Sequence, residues 1–447
     1  MSARTAMLAL TKTVVVLVIV LALLYAAGVW ITAADVRRAY AALEKDGRPM
    51  TAEQIIPKPV PDWENAALLY DGTAKQLKAE QAGDKDVLST LSSLSADLLA
   101  DKLQPEGKAQ LKELMARPVV GTALGLLEQA AGRKACQFPV DWSKGAAILL
   151  PHCSMMRSLS RLLAAHALLQ AEAGELDAAW HTALVALKVA DALRNEPILI
   201  SQLVRAAQTG MALDVMGRLC ALRIPDEATA VELDARLAAM DDPKPVVASM
   251  DGERLLLGEW TFRLAGRELI ELAQTGGNAS SPGLKALCVL YVRVLRQLDH
   301  AAYLTILHQY SRELELPYWQ APGATDEETI RDTPRLAVLT RLLVPALGAY
   351  RKRVTEGIAA VRVTRVGLAL ERHKAAHGEY PLGLDQVDRA LLPAAPADPF
   401  TGKPLVYRLA DKGFALYSVG PDGKDNQGKR KASSEDKEWD IPWGAPK

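Results

Sequence analysis

His300 and His308 stand two helical turns apart with Glu313 just beyond, and His373 and His377 stand four residues apart. On a helix such spacings put two imidazoles on one face, where neutral ring nitrogens can share a metal ion or exchange protons with a carboxylate. Tyr303, Leu304 and Leu307 surround the first pair, which equally fits an ordinary amphipathic helix. No HExxH accompanies the second pair, and His377 sits where a helix should end, a position that suits a charged imidazole through the helix dipole. Asp141 in FPVDW and His152 in LLPH fall in a stretch that reads as exposed loop, where polar residues act on ligands or cap turns. The sequence carries no GxSxG, no phosphate-binding P-loop and no GxGxxG after a strand, so the common hydrolase and nucleotide-binding signatures are missing. CxxC is absent too, which leaves structural zinc and thioredoxin-like chemistry without support. Cys136 and Cys153 are near each other in sequence, and both a disulfide and free thiols are open for them in an exported chain. Cys220 and Cys288 lie in apolar helical patterns and read as small buried hydrophobes.

The elements that must position these residues are mainly helices. Hydrophobic residues make up 49% of the 447-residue chain and aromatics only 5%, a balance that favours closely packed helices. Lys and Arg together number 53, as do Asp and Glu, so no bulk field favours nucleic acid, and no basic stripe alternates with aromatics. Residues 13–34 contain no charge and are long enough to cross a bilayer core as a helix. Arg4 and Lys12 precede the run while Arg37 and Arg38 follow it beside Asp35, giving a modest preference for a cytoplasmic N-terminus. The expectation is a single pass through the inner membrane with the bulk of the chain outside the cytoplasm. The alternative is a signal peptide cleaved at Thr32-Ala33-Ala34, against which the length of the apolar run argues.

Punctuation then divides the chain into a cytoplasmic tail (1–12), an anchor (13–34), a linker ending in the Pro-rich IIPKPVPDW (35–63), a helical domain (64–316), a second linker (317–333) and a C-terminal module (334–447). Residues 157–193 predict two helices joined at Gly174-Glu175, with Ala167, Ala179, Ala183 and Ala186 at the spacing of a tetratricopeptide hairpin, although no 34-residue recurrence follows. A long helix is expected over 195–222, a further one from Pro225-Asp226-Glu227, and a flexible loop at GGNASSPG (276–283). RLAVLTRLLVPALGAY (335–350) is expected to open the helix that runs to HGEYP (377–381), either facing the core or offering a docking surface, with Arg341 interrupting it and Pro345 kinking it.

Gly378 and Pro381 stop that helix, DPFTGKP (398–404) turns into the strand-like LVYRL (405–409), and FALYSV (414–419) follows the Lys412-Gly413 turn. This order of helix, HGEYP, DPFTGKP, strand and YSVGPDG resembles the C-terminal globular part of the major pseudopilin of type II secretion systems. The resemblance implies an α+β unit with a small antiparallel sheet and a calcium site in the loop after YSVGPDG. By motif position Asp422, Asp425 and Asp440 would be ligands, with Asp436 placed less directly. Calcium takes six to eight oxygens, which Asp, Asn and Gly in a loop can supply. Here QGKRKASSEDKEW fills the region between Asp425 and Asp440, and Lys429, Arg430 and Lys431 oppose a cation. The pilin leader and initial Glu have no counterpart in or before 13–34, so the chain is not expected to be processed as a pilin. FPVDW, LLPH and EPILISQLVR (196–205) also resemble membrane-anchored helical proteins of planctomycete-like bacteria, which implies an exported helical domain and no activity. The expected fold is therefore α+β, mostly α. The expected role is an envelope scaffold or protein-interaction component that contacts the membrane through 13–34 and binds other envelope proteins. An extracytoplasmic hydrolase-like enzyme is the alternative.

Overall fold

The uncharged run 13–34 continues without a break into DVRRAYAALEK, and in the computed structural model the two form one helix, α1 (Ala3–Lys45). The structure describes residues 3–266, 268, 269, 271, 291–321, 328, 331–344, 347–410, 413–431, 433, 435–440 and 441–444. Among these, α1 is the one helix long and apolar enough to span a membrane, and its apolar stretch is unburied. Beyond Ala34 the same helix turns amphipathic, and Ala39 and Leu43 pack against Leu304 of a later helix.

The largest core is built by α2 (Ala67–Ala79), α3 (Val87–Leu99), α4 (Pro105–Met115), α5 (Pro118–Ala131), α6 (Pro151–Glu172), α7 (Leu176–Asp191), α8 (Leu199–Cys220) and α9 (Glu227–Met240). Capping acids open α3 and α9: Asp86 accepts from the Ser89 N–H at 2.8 Å and Asp226 from the Thr229 N–H at 2.9 Å. A two-residue hairpin, β1 (Gln81–Ala82) with β2 (Lys85–Asp86), precedes α3. α6 and α7 form the expected helical hairpin, turned at Gly174 with φ +82°. Ala164, Ala167, Ala179, Ala183 and Ala186 are buried around it, so small side chains let the helices close on Trp180, whose indole N–H donates to Arg223 O at 2.9 Å.

A second layer begins with α10 (Lys244–Gly252), which passes through a π turn (Glu253–Gly258) into α11 (Glu259–Arg263). α12 (Arg296–Glu315) runs beside α1, and α13 (Val338–Leu343) leads towards α14 (Leu347–His377). The helix expected from Pro334 starts instead at Val338, because Pro334 to Ala337 form a turn and Asp299 of α12 caps α13 from outside. Pro345, Cys288 and the GGNASSPG loop lie outside the described residues.

α14 has two working faces. Val363, Val366 and Leu370 pack with Leu405 and Leu416 of the C-terminal sheet, while Arg362 and Arg365 reach across to Asp241 and Asp234 at 2.9 and 2.8 Å. The sheet is antiparallel, in order β3 (Val406–Ala410), β4 (Gly413–Ser418), β5 (Ile441–Pro442), with Val406 opposite Tyr417 and Ser418 opposite Ile441. Gly367 lets the Trp443 indole lie on the helix: a Cβ there would stand 2.3 Å from the ring. Gly378 ends α14 in the left-handed region, φ +85°, its N–H donating to Lys374 O at 2.7 Å. Tyr407 OH donates to Pro381 O at 2.6 Å, and Asp398 accepts from the N–H groups of Phe400 and Val419, both at 2.9 Å. The turn motifs are therefore laced to one another by side chains as well as by the strands.

Candidate functional site around Glu196

Pro151 takes the first position of α6, where its missing N–H costs nothing, so His152 enters the helix instead of remaining in a loop. Its ring is buried and stacks on Phe138 of FPVDW at 4.4 Å, and Phe138 in turn stacks on Tyr70 at 6.5 Å. The expectation of an exposed His152 is corrected by this packing. Asp141, by contrast, is exposed and caps a short turn through the Ser143 N–H at 3.2 Å. Opposite His152 lies Glu196, at the turn between α7 and α8. Its Oε2 is 2.9 Å from His152 Nε2 and accepts from Ser201 Oγ at 2.6 Å, while Cys153 Sγ lies 3.8 Å from Ser201 Oγ. Gln202 holds the turn shape by donating to the carbonyls of Leu193, Arg194 and Glu196. FPVDW and LLPH meet EPILISQLVR, more than forty residues further along the chain, at this point.

Burial alone would pull the His152 pKa down, but hydrogen bonds to Cys153 and Glu196 outweigh it and raise the value to about 9. The imidazole is accordingly a buried cation facing a buried carboxylate. Among the described residues, His, Cys and acidic ligand atoms gather within 4.8 Å at His152, Cys153 and Glu196. Nε2 and Oε2 stand at hydrogen-bond distance, 2.9 Å, and among the described residues Glu196 Oε1 has no hydrogen-bond partner.

The same turn engages the π segment. Gly252 lies so close beneath Pro197 that a Cβ would fall 1.5 Å from its carbonyl oxygen, and the Leu199 N–H donates to Glu253 Oε1 at 3.1 Å. Wide π turns occur mostly where a helix must re-aim side chains, often at functional positions. Here Glu253 is directed to a cleft of about 290 Å³ walled by Leu150, Ile200, Leu203, Leu257, Leu307 and Leu347. Tyr303 OH donates to Glu253 O at 3.1 Å, and Tyr350 OH is 2.8 Å from Ser249 Oγ, so both phenols are already engaged. Burial raises the Glu253 pKa from 4.5 to about 7, with the Leu199 N–H pulling the other way. The folded state then binds more protons than the unfolded one between these values, and stability falls as pH rises through that window, by up to about 3 kcal/mol. Glu253→Gln is expected to match the natural chain near pH 4.5 and to exceed its stability at pH 8 by about 2–3 kcal/mol. Denaturant melts at the two pH values check this; equal stability at pH 8 would remove the buried acid from the account.

Past the π turn, Glu259 points the other way, to α1. It accepts from Tyr40 OH at 2.7 and 2.8 Å and lies 3.6 Å from His300 Nε2. Burial works against its charge, but His300, Tyr40 and Arg254 hold its pKa below the ordinary value. Arg254 is buried, donates to Pro49 O and sits 3.6 Å from Asp251, which Arg48 approaches at 3.5 Å while reaching Glu315 at 2.7 Å. Isolated buried ions would be costly, and here each has an opposite charge. The two α12 histidines are not brought together: His300 faces Glu259, whereas His308 bonds Asp46 at 2.8 Å and Glu313 lies 3.8 Å from Arg351. His373 and His377 stack at 4.2 Å, and His377 Nδ1 is bonded to the carbonyl of His373 at 2.9 Å.

In the C-terminal loop, Asp422 accepts from the Lys424 N–H and Asn426 Nδ2 at 3.2 and 2.9 Å. Asp425 accepts from Tyr417 OH and the Gln427 N–H at 2.7 and 2.9 Å and pairs with Arg408. Asp440 is buried and accepts from the Asn426 and Gly428 N–H groups at 3.2 and 2.6 Å. These carboxylates stabilise the loop through protein donors. Thermal unfolding with calcium or chelator tests the ligand set that the resemblance implies: a rise with calcium that Asp422→Ala abolishes establishes it, and an unchanged midpoint removes it. Cys136, Cys153 and Cys220 are free thiols.

Sequence reasoning named His152 but missed its partner Glu196, and missed Glu253, Arg254 and Glu259 altogether. Charges inside the apolar MDGERLLLGEW were the available signal, since such residues are rarely buried unpaired. No family model, curated protein or solved structure matches the chain.

Proposed function

We propose that the chain is a membrane-anchored extracytoplasmic scaffold, a non-enzymatic protein whose helical body and pseudopilin-like C-terminal module bind other envelope proteins of a secretion or pilus-like system. The observation that carries this reading is α1: an apolar span with no burial that becomes, in the same helix, a buried strut of the body. A tether would need no such joint. The apolar wall of the Glu253 cleft and the engaged phenols beside it support binding over the hydrolase-like alternative, which needs free acid and base groups converging on a polar pocket. The buried His152–Glu196 pair likewise supports structure more than turnover, since neither residue lines that cleft.

The test combines topology with partner capture. Resistance of the full chain to alkaline extraction, an active C-terminal alkaline phosphatase fusion and crosslinks from the C-terminal module to secretion components are the expected results. Release by alkali would end the anchor reading, and turnover in a hydrolase screen that vanishes with Glu253→Gln would favour the enzyme.

A further inference from the structure

α1 and α12 lie side by side in step, so each helix measures height along the other. Tyr25 OH donates to Arg293 O at 2.9 Å, and Thr32 Oγ1 lies 3.2 Å from Gln297 Oε1. Higher up, the Tyr40 and His300 rings meet at 5.9 Å, Leu43 packs with Leu304, and Asp46 pairs with His308. Asp299 falls between Gln297 and His300, and thus at the height of α1 between Thr32 and Tyr40. That is where the uncharged run ends at Ala34. At about 1.5 Å per residue the offset from the end of the span is only a few ångströms.

Asp299 fixes α13 at this height. Its carboxylate accepts from the Leu339 N–H at 2.7 Å and the Thr340 N–H at 3.0 Å, and Tyr291 OH completes the set at 2.8 Å. The segment so held exposes Leu336 (55%), Val338 (47%), Leu342 (72%) and Leu343 (36%). One exposed leucine is ordinary; four within eight positions, at the foot of an anchor, form a ridge. Arginines frame it: Arg331, Arg335 and Arg263 are exposed, and Arg37 and Arg38 follow the span. The acids nearby, Asp332 and Asp35, pair with Arg331 and Arg38.

We propose that Leu336, Val338, Leu342 and Leu343 rest in the interface of an anionic bilayer, with the arginines at its headgroups, so that the body sits on the membrane as well as being attached to it. The composition fits, since interfacial segments combine a shallow apolar edge with basic residues that meet anionic lipid. This inference rests on the reading of 13–34 as a span.

The test uses the full chain in phosphatidylglycerol nanodiscs with acyl chains either brominated or plain. Trp30 lies in the span and reports insertion through its own quenching. Leu342→Trp is expected to add emission that brominated lipid quenches by half or more, whereas Val231→Trp, exposed on α9, adds emission that it leaves intact. Added emission from Leu342→Trp that is unquenched while Trp30 is quenched overturns the proposal and spares the anchor. Unquenched Trp30 overturns both. Quenching at Leu342→Trp that persists unchanged in phosphatidylcholine or with Arg335→Glu overturns the part given to the arginines.

Discussion

Replacing Glu196 by alanine is expected to lower the stability of the chain by about 3–5 kcal/mol, because it strands the buried imidazolium of His152 and removes the acceptor of Ser201. Glu196→Gln keeps the volume and separates charge from packing. With the carboxylate gone, burial pulls the His152 pKa down against Cys153 alone, and His152 holds its proton less tightly in the folded state. The sign follows directly. In the natural chain the folded pKa of about 9 exceeds the unfolded value of 6.5, so the stabilisation is complete below pH 6.5 and is lost as pH rises to 9. The size of that loss is about 3 kcal/mol. Chemical denaturation across pH 6 to 9.5 should therefore show a slope in the natural chain that Glu196→Gln reduces. If both chains lose stability equally over that range, the His152–Glu196 pair is not its source.

Gly252→Ala should be worse than a usual glycine substitution in a helix, which stabilises or costs little. The added methyl would stand 1.5 Å from Pro197 O, and a backbone oxygen cannot swing aside as a side chain can. Either α10 or the Glu196 turn must move, and with the turn goes its bond to Glu253. The expected cost is above about 3 kcal/mol, at the upper end of what one buried substitution does. Gly72→Ala, on α2 with open space around it, serves as the control and should leave the melting midpoint unchanged or slightly raised. Should Gly252→Ala melt with the natural chain, the close approach of α10 to Pro197 is wrong.

Both sites show what a sequence can and cannot carry. Local chemistry was legible: Pro225-Asp226-Glu227 as a helix start, Gly174 and Gly378 as stops, the strands around Gly413 and the charge-free span all rest on neighbours a few residues apart. The mostly helical class with a small antiparallel sheet followed from these. Glu196 could not be found that way, because its partner lies 44 residues upstream and becomes a partner only when α6 begins at Pro151. The histidines of α12 show the converse error. Their spacing put them on one face, yet His300 and His308 are claimed by Glu259 and Asp46 from different segments. Periodicity states which way a side chain leaves its helix, and tertiary contacts decide what it meets.

The π turn gives one residue's worth of extra chain to a helix that otherwise advances about 100° per residue. Glu253 at its start serves the cleft, and Glu259 after it serves α1. Segment length is therefore itself a setting. Deleting Leu257 would rewind α10 and α11 as one regular helix and rotate Glu259 by roughly a quarter turn away from Tyr40, with every side chain before the deletion left in place. An inserted or lost codon here would free Tyr40 from Glu259 while Leu43 on Leu304 and Asp46 on His308 still join the span to the body.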